Sequence, residues 1–199
     1  MAEVRQREMT VEEFLIWNLS QEERYEFVDG LPVPLRGMSG ASDAHDAIVV
    51  DLIIALGSQL KGTGCRPSTA DKAVRTTIRR VRRPDVTVEC SGVDPKSYEA
   101  RHPIAVFEVL SPSTRANDLN VKLNEYQRHP SLRTIVHIDP GNLDVLVYTR
   151  GANGLWDTER LERAEDRVLV PGTPVALPLA AIYDGVPLAA PDAVQPWPS

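Results

Sequence analysis

The chain has 199 residues, 42% of them hydrophobic and 25% charged, with a formal net charge of −6. That length and mix fit one globular domain with a sizeable core, expected over residues 9–186 with flexible tails at 1–8 and 187–199. The acidic balance counts against tight nonspecific nucleic-acid binding, which is driven by lysine and arginine at phosphates. The N-terminus is charged from its start and lacks the apolar run of a signal peptide. The longest apolar stretch, residues 47–56, is interrupted by Asp51 and falls far short of the roughly 20 residues that span a bilayer. A cytoplasmic protein with no membrane segment is therefore expected. Cys65 and Cys90 stand in different segments with no CxxC spacing, and are expected to be reduced structural thiols.

Along the chain, Thr10-Val11-Glu12-Glu13 fits a capping box for a short first helix, with Phe14, Leu15 and Trp17 as its apolar positions. Residues 24–28 read as a strand running into Asp29-Gly30, a hairpin signal, and a return strand over 31–35 that Pro32 and Pro34 confine to a sheet edge. From 42 to 61, His45, Val49, Leu52, Leu56 and Leu60 recur at helical spacing and Gly62 supplies a stop. Strands are predicted over 72–78, 84–88 and 104–110, the last apolar on both faces as a central strand is. A helix over 114–128 leads to a strand at 134–138, a turn at 139–142 and a strand at 143–148. That order is a mixed sheet with one crossover helix, an α/β (α+β) fold with an extra N-terminal hairpin. Residues 155–161 and 168–170 suggest another short hairpin. The serine-hydrolase, P-loop, dinucleotide and HExxH templates all fail; Gly37-Met38-Ser39-Gly40-Ala41 misses the second glycine of GxSxG.

One residue breaks the apolar logic. Glu108 lies inside Ile104-Ala105-Val106-Phe107-Glu108-Val109-Leu110, and an ionised carboxylate buried without a partner costs several kcal/mol or more, on the order of the desolvation penalty of a single ion. It must pair with a cation, bind a metal or stay protonated. Asp85 opens the preceding strand, and Lys122 lies on the helix that follows, in one face with Asp118 and Tyr126 at four-residue spacing. Two carboxylates on neighbouring strands, with a main-chain carbonyl such as that of Val109, can share a Mg²⁺ or Mn²⁺ for phosphodiester hydrolysis, and Lys122 supplies a cation for the charge that develops. Taken singly, Asp85 is a strand-end turn residue, Glu108 an arginine partner and Lys122 an i,i+4 partner of Asp118. The coincidence of all three favours a site. Tyr126 would brace Lys122 or contact a phosphate, or else is a core aromatic. His45, at the start of its helix, is a candidate for water activation or phosphate contact, and Glu26 for a further ligand; a buried structural histidine and an exposed glutamate are the plainer readings. Arg75, Arg79, Arg80, Arg82 and Arg83 crowd nine residues upstream of Asp85. They form either a basic strip for substrate, with Arg79 and Arg82 as contacts, or a charged edge hairpin that discourages strand addition.

The order Tyr25-Glu26-Phe27-Val28-Asp29-Gly30, His45, Pro84-Asp85-Val86, then Glu108-Val109-Leu110-Ser111-Pro112-Ser113-Thr114 with Asp118, Lys122 and Tyr126 resembles the Uma-two family of bacterial restriction-endonuclease-like proteins, within the PD-(D/E)XK nuclease superfamily. The resemblance covers residues 9–148 and is most specific from Glu108 to Tyr126. It implies a restriction-endonuclease-like core, a mixed sheet flanked by helices, with Asp85 and Glu108 as metal ligands. The plain superfamily motif places lysine two residues after the acid, where this chain has Leu110, so the resemblance moves that role to Lys122. A Mg²⁺- or Mn²⁺-dependent nuclease acting on nucleic acid, DNA foremost, is the first expectation. A catalytically inactive nucleic-acid- or protein-binding module on the same fold is the alternative. A homodimer goes with the first, since symmetric dimers are the commonest oligomers and cutting a duplex needs two sites.

Overall fold

The computed structural model describes residues 8–35, 42–111 and 115–188. Thr10 caps helix α1 (Val11–Asn18) through the expected box: its hydroxyl accepts from Glu13 N at 3.1 Å and its own N–H donates to the Glu13 carboxylate at 2.9 Å. Strands β1 (Tyr25–Val28) and β2 (Leu31–Pro34) form the hairpin, with Asp29 at φ 52° and Gly30 at φ 95°. Two successive positive φ values are what a two-residue turn needs to match strand twist, which explains the Asp-Gly pair. Ser42 caps helix α2 (Asp43–Gln59), its hydroxyl accepting from His45 N.

Strands β3 (Arg66–Thr69), β4 (Val74–Thr77), β5 (Arg80–Arg82), β6 (Val86–Glu89) and β7 (Pro103–Val109) follow. After β7 comes a helical passage in three pieces: α3 (Arg115–Asn117), a π-helical turn (Asp118–Lys122) and α4 (Leu123–Arg128). Then come β8 (Thr134–Ile138), β9 (Val145–Arg150), β10 (Trp156–Leu161), β11 (Arg167–Leu169), β12 (Ala176–Pro178) and the short α5 (Leu179–Ile182).

Six strands make the central sheet in the order β10-β9-β8-β7-β6-β3, and only β7 and β8 run parallel, joined by the helical crossover. A four-stranded sheet, β2-β1-β5-β4, stands beside it. All seven residues of β7 are buried, as a strand covered on both faces requires. One face packs Phe107, Val136 and Ile138 against Ile48, Leu52 and Leu56 of α2; the other packs Val106 and Ile135 against Tyr126 of α4. Phe14, Phe27 and Val81 form a third cluster between α1 and the smaller sheet. The mixed sheet flanked by helices is the architecture expected from the chain order. No helix among the described residues is long and apolar enough to cross a membrane.

Three expectations are corrected. Cys65 and Cys90 are joined by a disulfide rather than carrying free thiols. They flank the antiparallel pair β3–β6, whose register reaches Arg66↔Glu89. Residues 156–161 do not pair with 168–170: β10 extends the central sheet beside β9, and β11 pairs with β12. The expected helix over 114–128 is not α throughout but carries the π-turn in its middle. The glycine-serine motif at 37–41, the segment 112–114, and the tails at 1–7 and 189–199 lie outside the described residues.

Candidate active site

Asp85 stands just before β6, and its Oδ2 accepts the main-chain N–H of Val109 at 2.8 Å, fastening the start of β6 to the end of β7. Glu108 points to the α4 face of the sheet and is 3% exposed. The π-turn then sets the cation. An extra residue in the turn brings Asp118, Leu119 and Lys122 all inward, and such bulges recur at functional sites because they re-aim side chains an α-helix would carry past. Lys122 Nζ lies 2.9 Å from Asp118 Oδ1, 3.3 Å from Glu26 Oε1 and 3.4 Å from Glu108 Oε1. One turn on, the fully buried Tyr126 donates its hydroxyl to Glu108 Oε1 at 2.7 Å.

His45, in the first turn of α2, places Nε2 3.4 Å from Asp85 Oδ2. Burial opposes its charge, but the Asp85 hydrogen bond and charge, the Asp46 charge and the Val109 main chain outweigh it and raise its pKa. Asp85, Glu108, Lys122, Glu26, His45, Tyr126 and Val109 are thus brought together from five separate segments.

Arg82 and Arg79 are not part of this group in the way expected. Arg82 is 3% exposed; its Nε and Nη2 grip Glu125 at 2.8 and 2.6 Å and its Nη1 donates to Glu26 Oε2 at 2.7 Å. It braces the site from behind, and the expectation of a substrate contact there is corrected. Its side chain lies on the face of β5 that α4 covers, opposite Val81, which packs with Phe14 and Phe27. Arg79 is half exposed at the β4–β5 turn, bound to Glu8 and to the Asp29 carbonyl.

Sequence reasoning missed Glu125 and His137. Glu125 accepts from Arg82, from Arg80 at 2.7 Å and from Thr76 at 2.8 Å, linking α4 to the smaller sheet. Its signal was weak: a glutamate three residues after a lysine is ordinary on a helix surface. His137 is the cross-strand partner of Glu108, is 0% exposed and meets Tyr148 edge-on at 5.5 Å. Neither ring nitrogen has a hydrogen-bond partner among the described residues. Burial, then the positive charges of Lys122 and Arg115, push this histidine down to about 3.

The electrostatics are lopsided. Glu26, Glu108, Asp118 and Glu125 face three fixed cations, Arg80, Arg82 and Lys122, while Asp85 faces His45. Burial above all, reinforced by Asp118 and Asp85, raises the Glu108 carboxyl well above the usual range despite Lys122 and Tyr126. Lys122 is held charged: burial works against it, but Glu108, Glu26 and Asp118 together raise its pKa. A divalent cation fits that surplus of negative charge. Among the described residues no three His, Cys, Asp or Glu side chains are placed to hold an ion between them. The donors on offer are Asp85, Glu108 and the Val109 carbonyl, which is the pattern of Mg²⁺ sites that use one or two carboxylates and leave the remaining positions to water and substrate. The hydrogen bonds of the described residues engage Oδ2 of Asp85 and Oε1 of Glu108, leaving each carboxylate a second oxygen.

A family model, Uma2, described as "Putative restriction endonuclease", matches residues 11–181. The chain is also 29% identical over 180 residues to an uncharacterized protein of Synechocystis sp., an alignment covering 89% of this chain and 93% of that one.

Proposed function

The chain belongs to the Uma2 family of the PD-(D/E)XK superfamily, and on that premise we propose that it is a divalent-metal-dependent nuclease that hydrolyses phosphodiester bonds, with DNA as the substrate. The observation that carries this is the buried surplus of carboxylates around Lys122. A purely structural cluster gains nothing from an uncompensated acid, and a polyanion would be repelled by it unless a cation intervenes. Asp85, Glu108 and the Val109 carbonyl would hold Mg²⁺ or Mn²⁺, which supplies a polarised phosphate and a more acidic bound water.

The remaining work belongs to the side chains. Lys122 stays charged, so it acts as a fixed cation toward the attacking water or the transition-state charge, not as a base that takes up a proton. Glu26 is a positioning residue: Oε2 is taken by Arg82, while Oε1 faces Lys122 and the Arg83 N–H. Tyr126 orients Glu108, and His45 does the same for Asp85. Two copies would be needed to cut both strands of a duplex, so a homodimer belongs to the same proposal.

The test is cleavage of a panel of single-stranded, duplex and branched DNA and RNA with Mg²⁺, Mn²⁺ or EDTA, comparing wild type with Asp85→Ala, Glu108→Ala and Lys122→Ala. Metal-dependent cutting should fall by about 10²-fold or more in each variant, the scale of losing one preorganised charge at a reacting centre. Cutting that persists in EDTA, or survives all three substitutions, overturns the assignment.

A further inference from the structure

Helix α2 is apolar on more than the face it buries. Ile48, Leu52 and Leu56 are 0% exposed in the core, yet on the far side of the helix Val50 is 47% exposed and Ile54 64%. At roughly 100° per residue, the line opposite Leu52 runs through Asp43, Ala47, Val50, Ile54, Gly57 and Lys61, the last of these just past the C-cap. That alternation of four and three is the seam along which two helices pack side by side. The outward face of a surface helix is ordinarily polar. Here the charges stand only at the two ends of the line, and neither Asp43 nor Lys61 has an ion-pair partner among the described residues.

The line is symmetric about Leu52. Val50 and Ile54 flank it at equal distance along the chain, then Ala47 and Gly57, then Asp43 and Lys61. A second copy of α2, laid antiparallel across a two-fold axis at that level, sets Val50 against the partner's Ile54 and Ala47 against the partner's Gly57. It also sets Asp43 against the partner's Lys61, and every contact occurs twice. The exposed aliphatic side chains are covered at the axis, the small residues beside them let the helices approach, and each free charge meets its opposite. A parallel pairing in register would instead set like charges together. Asp51, the acid nearest the axis, lies about a quarter turn off the line, within reach of the charge of Asp184 beyond α5.

We propose that this outward face of α2 is the surface through which the chain pairs with a second copy of itself, antiparallel and centred on Leu52. The inference deepens the homodimer of the proposed function and rests on that part of it; neither metal nor cleavage enters. Contact through one helix pair stands at the small end of specific interfaces, about 1,200 Å² or less in total, so association belongs in the micromolar range. Because His45 lies in the first turn of α2, the pairing sets the two candidate active sites at opposite ends of the helix pair.

The test is sedimentation velocity of the full-length protein at about 1–100 µM, without nucleic acid or added metal, with far-UV circular dichroism to confirm that each variant is folded. Wild type should dimerise, and Ile54→Asp should weaken association at least tenfold. Asp43→Lys and Lys61→Asp should each weaken it by about tenfold, since two exposed pairs turn from attraction to repulsion. A chain carrying both changes should recover association, and so should an equimolar mixture of the two single variants, which forms a heterodimer with every charge matched. A wild type monomeric throughout the range overturns the proposal and leaves the face to another occupant. Undiminished association in Ile54→Asp, or no recovery when the charges are exchanged, overturns it as well. A chain that dimerises in this way and cuts nothing counts against the nuclease reading alone.

Discussion

Two clusters of buried charge lie back to back in this molecule, and they are built on opposite rules. Behind the site, Arg82 meets Glu125 through two parallel hydrogen bonds and Glu26 through a third, all between 2.6 and 2.8 Å, with Arg80 and Thr76 completing Glu125. In front, one ammonium is divided among three carboxylates at 2.9 to 3.4 Å, Glu108 has its pKa raised, and His137 beside it has no hydrogen-bond partner among the described residues. The first cluster is balanced and geometrically saturated, which is how a buried ion pair offsets its desolvation. The second is neither. Glu26 belongs to both, giving one oxygen to each, so the rigid cluster fixes the lysine of the reactive one. Burial of charge alone therefore does not mark a site; imbalance does.

The contrast is most strongly broken at Arg82. Arg82→Met leaves Glu125 and Glu26 buried without their main cation, and should cost about 3–5 kcal/mol of stability in urea unfolding. Arg82→Met with Glu125→Met should recover much of that, because two apolar side chains replace a matched pair. If Arg82→Met alone costs under about 1 kcal/mol, the brace is not the structural half of the comparison.

His137 sharpens the other half. Its pKa in the fold is about 3, against about 6.5 in an unfolded chain. Below pH 6.5 the unfolded state takes up a proton that the folded state refuses, so stability falls as pH falls, by about 1.4 kcal/mol per unit until the folded value is reached. His137→Leu removes that dependence. The stability of the variant relative to wild type should rise by about 2 kcal/mol between pH 7.5 and pH 5. A difference that does not change with pH would mean that the ring is charged or hydrogen-bonded in the fold.

How much of this was legible in the sequence follows from which signals are local. Glu108 announced itself because a carboxylate inside an apolar strand has no bland explanation, and Lys122, Asp118 and Tyr126 announced a shared face by spacing alone. The spacing led to the right faces through partly wrong geometry, since the π-turn, not a regular helix, aims Asp118 and Lys122 inward. Arg82 and Glu125 were invisible as a pair: they are 43 residues apart and each has the look of a surface residue. The Cys65–Cys90 bond was hidden because β3, short and carrying Pro67, gave no strand signal, so nothing placed Cys65 beside β6. By contrast, β10 pairs with β9 across the turn at 151–155, where Gly154 takes a positive φ and Gly151 N donates to the Leu155 carbonyl, so Asn153-Gly154 was a local hairpin signal that the reading of residues 155–161 passed over.

Arg79 carries the smallest effect on the fold and the clearest reading of what lies outside it. Its side chain is half exposed, paired with Glu8 and the Asp29 carbonyl at the tip of the β4–β5 hairpin, next to Ile78 at 88% exposure. An exposed pair of that kind is worth a few tenths of a kcal/mol, so Arg79→Ala should leave stability within about 0.5 kcal/mol of wild type. If the basic residues of this hairpin follow a nucleic-acid backbone toward Asp85, the same substitution should weaken binding alike across sequences. It should also reduce the slope of log affinity against log salt by about one. Cleavage of bound substrate should proceed unchanged, because Arg79 does not touch the acidic cluster. An unchanged salt slope would place the substrate path elsewhere on the surface, leaving the hairpin as a charged sheet margin whose inward arginines serve the brace and whose outward ones keep the edge in water.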